Sequence, residues 1–153
     1  MTTCSPEQTR AIGRKLGEAV KSGAVIALTG DLGSGKTVFV KGIADGIGKS
    51  DEDEVTSPSF ALIHEYAGRL PLFHVDLYRI ENRSDIGELG LEEILESGGV
   101  VAIEWADRIG KEALGDHIHA HFEMTDDASR DILLVASGAV SVEILNHLME
   151  ELV

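Results

Sequence analysis

Five consecutive apolar residues, Ala24 to Leu28, lead into Gly30-Asp31-Leu32-Gly33-Ser34-Gly35-Lys36-Thr37, and Val40, Ile43, Ala44 and Ile47 then recur on one helical face. This order of strand, glycine-rich turn and helix constrains the fold more than any other feature. A continuous apolar strand is of the kind buried on both sides in a parallel sheet. The turn fits G-x-x-x-x-G-K-[ST], the phosphate-binding P-loop. Its glycines let consecutive backbone N–H groups curl toward one cavity, and the following helix turns its positive end to the same anion. In that geometry Lys36 reaches the terminal phosphates of a nucleotide and the Thr37 hydroxyl ligates magnesium. Gly30 to Thr37 are therefore the candidate nucleotide-binding residues.

The remaining pattern gives alternating helices and strands. Ser5-Pro6-Glu7-Gln8 offers a capping serine, proline at the first helical position and glutamine three residues after the cap. Ile12, Leu16 and Val20 continue that helix, and Gly23 can end it. Ala61 to Tyr66 and Leu70 to Asp76 read as a hairpin around Ala67-Gly68-Arg69. Leu89 to Leu95 reads as a helix, and Val100 to Ile103 as a second buried strand. Strands over Ile118 to Met124 and Ile132 to Ala136 precede a last helix whose apolar face carries Val142, Leu145, Leu148, Met149 and Leu152. The expected fold is α/β, a P-loop NTPase-like three-layer sandwich with a parallel core sheet and added antiparallel strands. The 153 residues suit a single domain.

Composition narrows the function. With 43% hydrophobic and 26% charged residues the chain is neither disordered nor coiled coil, and its longest apolar run is too short for a membrane span. No signal peptide is evident at the N-terminus, and Cys4 is the single cysteine, so a cytoplasmic protein without disulfides is expected. The net charge of −14 is uneven: residues 1–49 carry seven Lys/Arg against four Asp/Glu, whereas residues 50–153 carry six against twenty-three. Such a chain repels a nucleic-acid backbone at long range, and its basic part suits a small anion.

A P-loop needs a carboxylate at a neighbouring strand end to hold the metal, and a group that orients the attacking water. Glu104 ends the apolar run Val100 to Ile103 and is the first candidate. Asp76 ends the other strand and is the second. Beyond the P-loop the chain carries Thr56-Ser57-Pro58-Ser59-Phe60, His74-Val75-Asp76-Leu77-Tyr78-Arg79, Leu89-Gly90-Leu91-Glu92-Glu93 and Ile103-Glu104-Trp105, in that order. From Thr9 to Arg108 this series resembles the TsaE (YjeE) family of bacterial P-loop ATPases, which help to make threonylcarbamoyladenosine beside the tRNA anticodon together with TsaB and TsaD. The resemblance implies ATP or ADP with magnesium as cofactors, TsaD and TsaB as partners, and contact with tRNA only through their complex. It implies that Lys36 meets phosphate, that Thr37 and Glu104 hold the metal, and that Asp76 positions water. Thr56 to Phe60 would be a loop sensing the terminal phosphate, and Trp105 would border the nucleotide. Ser34, Ser59 and Ala106 depart mildly from the family pattern without removing a charged or metal-binding group.

Other readings are weaker. His117, His119 and His121 would share one strand face at about 6.5–7 Å spacing, which permits a zinc pair but reads better as the polar face of an edge strand. Asp51 to Glu54 lacks the glycine and spacing of a calcium loop. Asp107-Arg108-Ile109-Gly110 spells D-x-x-G, yet no N-K-x-D for guanine accompanies it. A small-molecule kinase would use arginines that close over phosphates, for which Arg79, Arg108 and Arg130 are available, although no arginine finger stands within the motifs. A nucleotide-sensing adaptor with little turnover is the third class.

Overall fold

A computed structural model of the chain describes residues 1–50, 55 and 62–153. Its order is β1 (Thr2–Thr3), α1 (Pro6–Ala19), β2 (Ala24–Gly30), α2 (Lys36–Gly46), β3 (Ile63–Tyr66), β4 (Leu72–Asp76), α3 (Arg83–Glu88), α4 (Leu91–Leu95), β5 (Val100–Glu104), a 3₁₀ turn (Ala106–Arg108), α5 (Lys111–Leu114), β6 (Ile118–Met124), β7 (Arg130–Ala136) and α6 (Ala139–Leu152). The strands form one sheet in the order β1-β7-β6-β2-β5-β4-β3. The central four, β6-β2-β5-β4, are parallel, and β1, β7 and β3 are added antiparallel, so the expected α/β architecture is the one observed. One face of the sheet packs on α1, α2 and α6 through Leu16, Phe39, Ile43, Ile26, Leu28, Phe122 and Leu148. The other packs on α3, α4, the 3₁₀ turn and α5 through Ala27, Val75, Val101, Ile103, Ile86 and Leu91.

The predicted hairpin is β3–β4, with Ile63 opposite Val75 and Tyr66 opposite Leu72. The cap of α1 is also as read: the Ser5 hydroxyl accepts the Gln8 N–H at 3.2 Å with Pro6 at the first helical position, although the helix ends at Ala19, before Gly23. Arg69, between β3 and β4, closes the other end by donating to the Gly17 and Val20 carbonyls at 2.9 and 2.8 Å.

Three expectations need correction. Leu89 to Leu95 is not one helix, because Gly90 takes a left-handed φ of 72° and separates α3 from α4. The histidine strand β6 is interior, lying between β2 and β7. His119 Nε2 and His121 Nδ1 each lie 2.8 Å from the Thr29 hydroxyl of the neighbouring strand, which gives each ring one partner, and His117 precedes the strand, with Nδ1 2.8 Å from the Gly115 carbonyl. Finally, α6 buries Ser141, Ile144 and Leu148, leaving Val142, Met149 and Leu152 exposed. The helix is oriented by its start. Asp116 reaches across from the turn before β6 and accepts the Val140 and Ser141 N–H groups at 2.8 and 3.1 Å, which closes orphan donors of the first turn.

The tightest packing is between α1 and α2. A Cβ at Gly13 would lie 2.3 Å from the Phe39 carbonyl oxygen, and one at Gly17 2.4 Å from that of Ile43. In the other direction a Cβ at Gly42 or Gly46 would lie 2.1 Å from the Arg10 or Arg14 carbonyl oxygen. Glycines four apart on both helices thus bring the backbones together. Rigid backbone on both sides leaves a methyl nowhere to go.

Two expected outcomes follow from this packing. Gly42→Ala should destabilise the protein by about 1–3 kcal/mol through overpacking, read as a lower urea midpoint. Gly87→Ala, whose added Cβ meets nothing within 4 Å, should be neutral or stabilising by up to about 1 kcal/mol. The Asp116 carboxyl is held below its usual range by the Ser141 hydroxyl and the α6 N–H groups. Its contribution is therefore full above the ordinary aspartate pKa of about 3.9 and disappears as pH falls through the lower folded value. Acid unfolding of Asp116→Asn should lack that part of the pH dependence.

Candidate functional site

At the carboxyl end of the parallel strands, β2 passes into the P-loop and α2 begins at Lys36. Gly33 and Gly35 take left-handed φ values of 78° and 105°, as the curled loop requires. Lys36 is buried, and its Nζ donates to the Gly30 and Asp31 carbonyls at 2.5 and 2.9 Å, with the Ser34 hydroxyl at 3.5 Å. Burial pushes its pKa below the ordinary lysine value, while Glu104, Asp76, Asp31 and Asp107 pull the other way. The Trp105 ring closes over the ammonium at 4.3 Å from its centroid and packs on Tyr78 at 5.0 Å. Trp105 itself holds a left-handed backbone, φ 60° and ψ 39°, an uncommon and costly conformation for a bulky residue.

Sheet register brings the carboxylates in. Leu28 of β2 pairs with Glu104 of β5, and Glu104 pairs with Asp76 of β4. The Thr37 hydroxyl donates to the Glu104 carboxylate, 2.9 Å from Oε1 and 3.1 Å from Oε2. Beneath them the fully buried His74 places Nε2 2.5 Å from Glu104 Oε2. An ionised carboxylate offers only acceptors, so toward it Nε2 is the donor, and among the described residues Nδ1 has no hydrogen-bond partner. Asp76 is buried and accepts the Tyr78 N–H at 2.9 Å. A cavity of about 310 Å³ is lined by the P-loop, Asp76, Tyr78, Arg79, Glu104, Trp105 and Arg130.

The sequence-predicted residues from Leu32 to Thr37, together with Asp76, Glu104 and Trp105, therefore line one cavity, with Gly30 and Asp31 giving their carbonyls to Lys36. Thr56 to Phe60 and the acidic loop Asp51 to Glu54 lie outside the described residues. The sequence assigns no role to His74 beneath the acid, and it offers Arg130 only as one of three arginines with which a small-molecule kinase could close over phosphates. Alternation within His74-Val75-Asp76 does put His74 and Asp76 on one sheet face, a signal that was available. Arg108 does not line this cavity: it donates to the Ile80 carbonyl, with its Cζ 5.9 Å from the Trp105 ring centroid.

The oxygens of Thr37 and Glu104 are hard ligands of the type magnesium accepts. Among the described residues no group of three or more His, Cys, Asp or Glu is placed to hold a metal by itself. The donor set thus fits a magnesium ion that takes its other ligands from phosphate and water, and does not fit a closed zinc centre.

Strand order, glycine loop and strand-end carboxylates together define an α/β protein of the P-loop NTPase-like class. Comparison with known proteins is more specific. The family model for "Threonylcarbamoyl adenosine biosynthesis protein TsaE" matches residues 3–132. The tRNA threonylcarbamoyladenosine biosynthesis protein TsaE of Bacillus subtilis is 40% identical over 137 residues, which cover 89% of this chain and 84% of that protein. The protein of the same name from Treponema pallidum is 37% identical over 128 residues, covering 84% and 93%. The crystal structure of Bacillus subtilis YdiB superimposes with a TM-score of 0.81 at 35% identity, covering 99% of this chain and 93% of that one. The chain belongs to the TsaE family.

Two substitutions separate the roles at the site. Lys36→Ala should weaken ATP and ADP binding with or without magnesium, because it removes a counter-charge from the phosphates. Glu104→Ala should keep metal-free binding and lose the gain from magnesium. Calorimetry in both conditions reads the difference, and equal, metal-independent losses would remove Glu104 from the metal. Trp105 emission should change on adding ADP to the native protein and stay flat in Lys36→Ala at the same concentration.

Proposed function

We propose that the chain is a magnesium-dependent ATPase that serves tRNA threonylcarbamoyladenosine synthesis in the cytoplasm, acting with TsaB and TsaD. The observation that carries this reading is the Thr37–Glu104 hydrogen bond at the mouth of the P-loop, with Asp76 on the adjoining strand. Family membership supplies the pathway. No helix among the described residues is long and apolar enough to cross a membrane.

ATP would lie with its phosphates on the loop N–H groups and on Lys36, which exchanges the Gly30 and Asp31 carbonyls for phosphate oxygens. Thr37 and Glu104 would hold magnesium, which supplies charge neutralisation on the transferring phosphoryl group. His74 keeps Glu104 in place from below by filling one lobe of its carboxylate. Asp76 orients a water in line with the terminal phosphorus. That water's oxygen forms the new P–O bond as the bond to the ADP oxygen breaks, and its proton leaves with the released phosphate or passes through Asp76. Trp105 and Tyr78 exclude bulk water over Lys36. Carbamoyl transfer takes place in a partner, and tRNA is met through the complex.

The strongly acidic body supports an accessory role better than direct nucleic-acid binding. Isolated chain should hydrolyse ATP well below the ~10 per second typical of enzymes, and adding TsaB with TsaD should change that rate. Asp76→Ala should abolish turnover while assembly persists. Reconstituted tRNA modification should require this chain and ATP together. Fast turnover indifferent to both proteins would overturn the accessory reading and direct attention to a phosphate acceptor, as in a small-molecule kinase.

A further inference from the structure

Arg130 opens β7, pairing with Met124 of β6 and Thr3 of β1, and its side chain runs across the sheet end onto the P-loop. It is 7% exposed. Its Nη1 donates to the Ser34 carbonyl at 3.1 Å, ninety-six residues away in sequence. The guanidinium presses so closely on Gly35 that a Cβ there would lie 2.5 Å from Nη1 and 3.2 Å from Cδ. Among the described residues the buried Nε has no hydrogen-bond partner, and no carboxylate stands within ion-pair distance of the group. A buried guanidinium satisfied by one neutral carbonyl is costly, because burial disfavours a charge that nothing neutralises. The residue also lines the cavity of Lys36 and Thr37. An anion in that cavity would supply the missing counter-charge.

We propose that Arg130 is a phosphate-binding residue of the nucleotide site, contributed by the chain's own β7, which meets the polyphosphate from the flank opposite Glu104 while tying down Ser34. The inference rests on the nucleotide-binding reading above and adds a second cation to Lys36. Guanidinium geometry suits the task, since its planar fork presents several donors to phosphate oxygens at once. It also explains why position 35 is glycine in space as well as in φ: a side chain there would displace the arginine.

The test is calorimetry of ADP, inorganic pyrophosphate and adenosine against the native chain, Arg130→Gln and Arg130→Lys at several salt concentrations, with thermal unfolding of each variant measured alongside. Arg130→Gln should bind ADP and pyrophosphate about tenfold or more weakly and with a shallower salt dependence. Arg130→Lys, which keeps the charge, should keep the native salt dependence and recover part of the affinity. Adenosine binding should not change. If Arg130→Gln fails to fold, the Arg130→Lys measurements decide: native affinity for pyrophosphate would overturn the proposal. So would a loss in Arg130→Gln that leaves the salt dependence untouched, since that marks a clamp on the loop and nothing more. Loss of ADP binding with native pyrophosphate binding would place the arginine on the nucleoside and overturn it as well. A native chain that binds neither ADP nor pyrophosphate removes the nucleotide reading itself and this proposal with it.

Discussion

The Thr37 hydroxyl reaches both oxygens of Glu104, and most of the molecule serves to make that meeting possible. Thr37 is positioned by α2, whose backbone packs on α1 so closely that a Cβ at any of the four facing glycines would meet a carbonyl oxygen within 2.4 Å. Glu104 is fixed because β5 lies between β2 and β4, and slipping a parallel strand by one residue would point the carboxylate to the wrong face. His74 finishes the restraint from inside the sheet. A carboxylate held by a hydroxyl above and an imidazole below keeps one orientation. Preorganisation of that kind spares a metal site the cost of ordering its ligand when the ion arrives.

Legibility followed locality. The P-loop, its flanking strand and its helix are contiguous, so one stretch of sequence encodes their whole geometry. Val40, Ile43, Ala44 and Ile47 are all buried as their spacing implies. Asp76 and Glu104 were legible as strand ends because apolar runs stop at them. What escaped depends on pairing between distant segments. In the sequence Arg130 is only one of three arginines available to close over phosphates, and it is the β6–β7 register that carries it over Ser34. Asp116 caps a helix more than twenty residues onward, which no local motif announces. The strand of histidines was expected at an edge because its pattern is half polar. Thr29 of the neighbouring strand explains the polarity instead. Spacing-of-four glycines are visible on both helices, but only the α1–α2 pairing turns them into a contact.

Charge presents a further constraint. A chain of net charge −14 repels a nucleotide at a distance, so whatever attraction exists must be local. The cavity supplies it by concentrating Lys36, Arg79 and Arg130 around one loop, with Asp76 and Glu104 set to one side on adjacent strands. The acidic groups then repel a phosphate unless a cation stands between. This is why hydroxyl and carboxylate at that position make chemical sense as metal ligands. The same arrangement leaves the acidic surface available for solubility or for a basic partner without disturbing the site.

Lys36 shows how such a site stays stable before any ligand arrives. Its ammonium is buried beneath Trp105 and gives its protons to the Gly30 and Asp31 carbonyls, so the loop partly satisfies its own lysine. Binding phosphate would then exchange hydrogen bonds rather than create them, and each exchange contributes only the modest difference between a carbonyl and a charged oxygen. Arg130 is arranged in the same way: it donates to the Ser34 carbonyl, and among the described residues its Nε finds no acceptor. If the site takes nucleotide as proposed, discrimination would come from the charge and reach of the incoming anion, since a group that cannot engage both Lys36 and Arg130 would recover less than the loop already has. The left-handed backbone of Trp105 accompanies an indole that lies over this ammonium, 4.3 Å from its ring centroid.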